Sequence, residues 1–160
     1  PEARFVWYGY TSPALVAEPV RAAMAAAPEN LCFAGFVSQA ELRDAYCGAD
    51  AFAFCSHEET EGIVVLEALA CGVPVLVRDI PVYEGWLEAG KNVYKARRAE
   101  DLATLLAAML AKELPDLTAA GRRVAQDRSL ARMGQALCGI YEKEARHHAR
   151  AGQPGTVRTA

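Results

Sequence analysis

Histidine is scarce in this chain, and the scarcity excludes a good deal. The three histidines, His57, His147 and His148, have no zinc-ligand spacing, and no Asp-x-Asp pair stands beside a strand, so no metal or other cofactor is expected. No Cys-x-x-Cys occurs. The five cysteines (Cys32, Cys47, Cys55, Cys71, Cys138) are odd in number and scattered, which reads as small core residues in a reducing compartment rather than a disulfide framework. There is no basic excess: 17 Lys and Arg against 20 Asp and Glu give a net charge of -3, without the electrostatic footprint of a nucleic-acid binder. The longest strongly apolar stretch, 63–77, is broken by Glu67, Gly72 and Pro74, so it does not span a bilayer, and no signal-peptide pattern is present. The chain opens on Pro1 rather than Met, which reads as a processed or excised piece.

What is present is a globular composition. With 160 residues, 52% hydrophobic and 23% charged, the chain is long enough to bury one core. Residues 1–150 are read as one domain and 151–160 as a frayed polar tail. Strand and helix patterns alternate at short intervals. Strands are expected at 4–8, 31–34, 51–55, 74–77 and 92–94. The third of these is apolar throughout, as a strand covered on both faces should be. Helices are expected at 13–27 with Pro19 interrupting, at 38–47 behind a Ser38/Glu41 capping box, at 62–71, 99–112, 115–127 and 129–149. This pattern predicts an α/β fold, a Rossmann-like parallel sheet with helices on both faces and ligands beyond the carboxyl ends of the strands.

The loop after the third strand is where a ligand should lie, and it carries the most informative residues. Ser56-His-Glu-Glu-Thr-Glu-Gly62 is polar and acidic, and an apolar run follows that contains a single carboxylate, Glu67. Gly62 allows another group to approach the backbone, and a helix starting there aims free N–H groups and a positive dipole end outward. Free N–H groups suit a phosphate, and the carboxylates of Glu59 and Glu67 suit sugar hydroxyls. The plainer readings are a solvated or Arg-paired Glu67, helix-start electrostatics for Glu59 (a role open to Glu58 and Glu61 as well), a cap glycine at Gly62 and a polar loop residue at His57.

Glu59-Thr-Glu-Gly-Ile-Val-Val-Leu-Glu67, two glutamates with seven residues between them, resembles the signature of the retaining GT-B glycosyltransferases of family four. Ala68-Leu-Ala-Cys-Gly-Val-Pro-Val75 continues it. Phe5-Val-Trp-Tyr-Gly9, Asn30-Leu-Cys-Phe-Ala-Gly-Phe-Val37, Tyr46-Cys-Gly-Ala-Asp50 and Val77-Arg-Asp-Ile-Pro-Val-Tyr-Glu84 extend the similarity, which is greatest to bacterial enzymes that place glucose on diacylglycerol. The resemblance implies the C-terminal, donor-binding half of a two-domain, metal-independent enzyme. Glu67 would accept the two ribose hydroxyls. Glu59 would lie beside the transferred sugar, with Glu61 close by. Gly62, Ile63 and Val64 would offer N–H groups to the diphosphate, and the backbone at Phe36 and Val37 would read the base. Asp79, Tyr83 and Glu84 are pocket-rim or packing residues on this reading.

The resemblance also implies partners: a nucleotide-sugar donor such as UDP-glucose, an N-terminal acceptor domain absent from these residues, and through it a membrane lipid. The expected setting is cytoplasmic, with the parent enzyme peripheral to a membrane. The chain alone is expected to be inactive. The family's first strand, which would sit mid-sheet, and its diphosphate-binding Arg and Lys have no counterpart here, so an open sheet edge is expected. The last helix carries Leu130, Met133, Leu137 and Tyr141 on one face, either for ordinary packing or for reaching another domain. A non-catalytic sugar-nucleotide-binding module and a sugar-nucleotide epimerase fragment are the alternatives.

Overall fold

A computed structural model describes residues 3–151, without the side chains of Pro13 and 149–151. The expected tail from Gly152 lies outside the described residues. The strands are β1 (Phe5–Tyr8), β2 (Leu31–Gly35), β3 (Phe52–Phe54), β4 (Val75–Arg78) and β5 (Tyr94–Ala96). The helices are α1 (Glu18–Ala25), α2 (Gln39–Gly48), α3 (Ile63–Cys71), α4 (Ala99–Leu110), α5 (Thr118–Asp127) and α6 (Leu130–Ala151), with single 3-10 turns at Pro13–Leu15 and Pro81–Tyr83.

All strand pairs are parallel, as the alternation of strands and helices predicts. They form two sheets rather than one. β1 pairs with β2, Phe5 opposite Leu31, and β3, β4 and β5 form a separate three-stranded sheet in that order. No ladder joins β1 to β3, so each leaves an edge unpaired, in line with the open edge expected from the sequence.

The core belongs to the second sheet. Val75, Leu76 and Val77 of β4 are buried, flanked by β3 and β5: Val75 and Val77 pack with Val65, Ala68 and Leu69 of α3 and with Tyr83, Leu87 and Val93, while Leu76 faces the other way, against Tyr94, Leu102 and Met109. An apolar run such as Val75–Val77 in the central strand is what a parallel sheet with covered faces requires. α5 closes over α3 at Gly121. A Cβ built there would stand 2.6 Å from Leu69 Cδ2 and 3.2 Å from the Asn92 carbonyl oxygen, so glycine permits the close approach. By contrast, no described side chain before Tyr46 is buried.

Several local expectations change. Pro19 does not interrupt a helix. It sits in the first turn of α1, where its missing N–H costs nothing, and the residues before it form the 3-10 turn. β3 is not covered on both faces, since Ala53 is exposed at its centre, beside the edge that no strand occupies. The cysteines are not core residues: Cys32, Cys47, Cys55 and Cys138 are exposed and Cys71 is half-buried. Their apolar neighbours in sequence lie largely at the uncovered edges, on the surface of α2 or on α6. The Ser38/Glu41 capping box is present, with the Glu41 N–H donating to Ser38 Oγ at 3.2 Å and the Ser38 N–H donating to Glu41 Oε2 at 2.8 Å. The Ser38 hydroxyl, which also donates to Glu41 Oε2 at 2.7 Å, and then the Ser38 N–H hold the Glu41 carboxyl below its usual range.

Candidate functional site

The loop 55–62 leaves the carboxyl end of β3 and turns into α3 at Gly62, which adopts a left-handed conformation at φ 73°. Gly62 is buried, and a Cβ there would lie 2.9 Å from Cε1 of Tyr83. Backbone conformation and lack of space therefore both require glycine. The Gly62 carbonyl accepts from Val65 and Leu66, while Ile63 and Val64 stand in the first turn, where N–H groups have no partner inside the helix.

Glu59 is half-buried within this loop. Its Oε1 accepts from the Thr60 N–H at 2.8 Å and from the Glu61 N–H at 3.3 Å. Those bonds hold its carboxyl below the usual range, so it is charged at neutral pH. The carboxylate thus binds N–H groups of the loop itself, which is the helix-start role left open by the sequence. Glu61 and His57 are exposed.

Glu67 lies four residues into α3, about 6 Å along the axis from Ile63. It is half-buried and accepts the Tyr46 hydroxyl at 3.3 Å. Tyr46 comes from α2, where Leu42 and Tyr46 point inward at helical spacing, and its ring meets Phe52 of β3 edge-on at 5.4 Å. Burial, then the charge of Glu67, pushes the Tyr46 hydroxyl far above its usual pKa, so it stays a donor. Around this pair lies an open hollow of about 200 Å³ lined by Gln39, Arg43, Tyr46, Glu67, Ala70 and Cys71. Glu67 is therefore neither simply solvated nor ion-paired: it is bonded to a tyrosine at the wall of a depression.

Phe36 and Val37 occupy the loop from β2 to α2, just ahead of Gln39, which lines the hollow. Phe36 is 87% exposed and Ile63 57%. Glu59, Glu61, Gly62, Ile63 and Val64 thus cluster at the start of α3. Glu67 stands one turn along, and the Phe36–Val37 loop leads into α2, which packs against α3. A carboxylate beside unpaired N–H groups and exposed apolar side chains can receive a ligand that combines an anion, hydroxyls and a flat ring.

Next to the same strand ends, Asp79 pairs with Lys95 at 2.8 Å and with Arg97 at 3.0 Å, so Asp79 belongs to an ion network. Tyr83 is fully buried and Glu84 exposed. Tyr46, Arg43 and Gln39 were not singled out as site residues from the sequence, because their contribution depends on the packing of α2 against α3. Among the described residues no group of three or more His, Cys, Asp or Glu is placed to hold a metal ion. No described helix is long and apolar enough to cross a membrane.

Comparison with known proteins follows the same lines. The chain is 36% identical over 143 residues to a processive diacylglycerol alpha-glucosyltransferase of Acholeplasma laidlawii, covering 89% of this chain and 43% of that protein. It is 29% identical over 148 residues to the alpha-galactosylglucosyldiacylglycerol synthase of Streptococcus pneumoniae, covering 91% and 40%. Among solved structures, HepE of Anabaena in complex with UDP-glucose aligns with a TM-score of 0.75 at 18% identity, over 89% of this chain and 42% of that one. The fold is accordingly the Rossmann-like half of a GT-B architecture, and the chain spans less than half the length of these relatives. The model for glycosyl transferases group 1 matches residues 4–127, and the chain belongs to that family.

Proposed function

We propose that this chain is the donor-binding domain of a retaining hexosyltransferase that uses a nucleotide diphosphate sugar, UDP-glucose in the first instance, and a membrane-lipid acceptor such as diacylglycerol. The observation that carries the reading is Glu67: a carboxylate inside an apolar helix run, fixed by Tyr46, one turn beyond a glycine-started helix N-terminus. In this reading Glu67 accepts the ribose hydroxyls, two oxygens for two neighbouring O–H groups. The N–H groups of Gly62, Ile63 and Val64 hold the diphosphate. The Phe36–Val37 backbone meets the base, and Glu59, with Glu61 beside it, faces the sugar.

Leaving-group charge is neutralised by N–H groups and cationic side chains rather than by a metal ion. Arg43 lines the hollow, paired on the surface with Asp44 at 3.0 Å, and in this reading further cations come from polypeptide outside this chain. That polypeptide also supplies the acceptor pocket, and the chain alone binds without transferring. The lipid acceptor is supported by the names of the two curated relatives, one a diacylglycerol glucosyltransferase and the other a galactosylglucosyldiacylglycerol synthase. The setting is cytoplasmic, at a membrane surface reached through the acceptor domain.

The test is calorimetric titration with UDP, UDP-glucose and GDP, with and without a chelator, on the unsubstituted chain and on Glu67→Ala. Uridine-ligand binding that chelation leaves intact and the substitution abolishes is the expected result. Equal binding by Glu67→Ala would remove the donor-site assignment.

A further inference from the structure

The loop that starts α3 rests on a residue with an unmet requirement. Tyr83 is fully buried beneath Gly62, and its hydroxyl is, among the described residues, the one buried side-chain polar atom without a hydrogen-bond partner. Leaving a buried hydroxyl unpaired is costly, and native proteins rarely do so without a reason. The ring itself is well placed. It packs edge-on against Trp86 at 5.6 Å, whose Nε1 donates to the Val82 carbonyl at 2.7 Å, and the Arg128 guanidinium lies over the Trp86 ring. Packing accounts for an aromatic ring at this position but not for the hydroxyl. A phenylalanine would meet the same neighbours.

The charged group that acts on that hydroxyl is Glu59: burial first, then the Glu59 carboxylate, pushes the Tyr83 pKa up to about 12. Glu59 Oε1 accepts from the N–H groups of Thr60 and Glu61 and from the Thr60 hydroxyl, and the Gly62 N–H, one of the three given to the diphosphate, also bonds the carboxylate. An anion arriving at the start of α3 meets a carboxylate already bound to the N–H groups that lead into it. Like charges in one site repel, so a diphosphate and Glu59 cannot share the Gly62 N–H without cost. If Glu59 leaves that donor, its charge needs a new one.

We propose that Tyr83 is a positioning residue for Glu59: when the diphosphate of a sugar nucleotide occupies the N–H groups at the start of α3, the Glu59 carboxylate transfers to the Tyr83 hydroxyl, which holds it facing the sugar. This rests on the donor-site reading and adds to it a second seat for Glu59. The arrangement explains a buried donor without a partner beside a carboxylate that has a partner it must give up. No bond is made or broken apart from hydrogen bonds.

The test compares the unsubstituted chain, Tyr83→Phe, Glu59→Ala and the double variant, by thermal melting and by calorimetric titration with UDP-glucose. The expected results are that Tyr83→Phe melts no lower than the parent, because an unpaired hydroxyl is removed, yet binds UDP-glucose about tenfold more weakly. The double variant binds no worse than Glu59→Ala alone, because Tyr83 acts only through Glu59. Undiminished binding by Tyr83→Phe overturns the proposal and leaves the donor site standing. So does a fall in melting temperature, which would make the hydroxyl structural, or a double variant weaker than Glu59→Ala. Absence of UDP-glucose binding by the unsubstituted chain overturns the donor-site reading itself and this proposal with it.

Discussion

The Tyr46 hydroxyl donates to Glu67 Oε2 at 3.3 Å and so ties α2 to α3 at the wall of the hollow. The bond takes one lone pair of Oε2 and leaves both carboxylate oxygens able to accept from a ligand. Tyr46→Phe keeps the ring contact with Phe52 and removes only the donor, so stability should fall by about 1 kcal/mol. Affinity for UDP should drop several-fold as Glu67 loses its orientation. Denaturant melts and calorimetry on the same preparation would separate the two effects, and affinity equal to the parent's would mean that Glu67 is oriented without Tyr46.

Gly62→Ala should damage the site more than the fold. The substitution places a methyl 2.9 Å from the Tyr83 ring at a φ that L-residues disfavour, which costs about 1–3 kcal/mol. The strain falls on the turn that presents the N–H groups. A variant with native far-ultraviolet dichroism but undetectable UDP binding is expected, and unimpaired binding would contradict the role given to this turn.

Gly121→Ala tests the opposite case. Its Cβ would collide with Leu69 and approach the Asn92 carbonyl where α5 meets α3, away from the loop at the start of α3. Overpacking there should lower stability by about 1–3 kcal/mol. Below the melting transition the variant should bind UDP as the parent does.

Asp79 gives stability a defined acid limit. The hydrogen bond from Lys95, followed by that from Arg97, holds its carboxyl below the ordinary range, and Lys95 is only 8% exposed. A carboxylate with a depressed folded-state pKa contributes stability that is complete above its unfolded value, about 3.9, and that fades as pH falls through the folded one. Unfolding curves from pH 7 to pH 2 should show this loss in the parent and a smaller one in Asp79→Asn. At pH 7 the variant should be less stable by about 2 kcal/mol, because Lys95 keeps its charge with its main partner gone.

Much of the second sheet was readable from residues alone, because its signals are local and repeated. The Ser38/Glu41 box, the glycines that begin and end α3 and the apolar run of β4 each specify one conformation, and packing agrees with them. The first sheet was harder to read. Pro19 reads as a break because the 3-10 turn before it has no strong signature, and the cysteines read as core because apolar neighbours in sequence do not reveal whether a face is covered. At the site, Glu59, Gly62 and Glu67 stood out as residue types that conflict with their surroundings. Tyr46 and Tyr83 did not, since a tyrosine at an apolar helical position or in a Pro-Val-Tyr turn satisfies the local pattern. What distinguishes them is where the hydroxyl ends, and that depends on contacts between distant segments.

The uneven distribution of the core sets two different timescales for the two sheets. The described residues ahead of Tyr46 contribute no buried side chain, whereas β4 is buried from Val75 to Val77 and α3 along its Val65, Ala68 and Leu69 face. Amide protons in β1 and β2 should therefore exchange through cheap local openings, and those in β4 only when the whole domain unfolds. The nucleotide would touch both units, the base at Phe36–Val37 on the labile one and the ribose and diphosphate at α3 on the rigid one. Binding would slow exchange in the first sheet far more than in the second, making the ligand a splint for the half of the chain that lacks a core of its own.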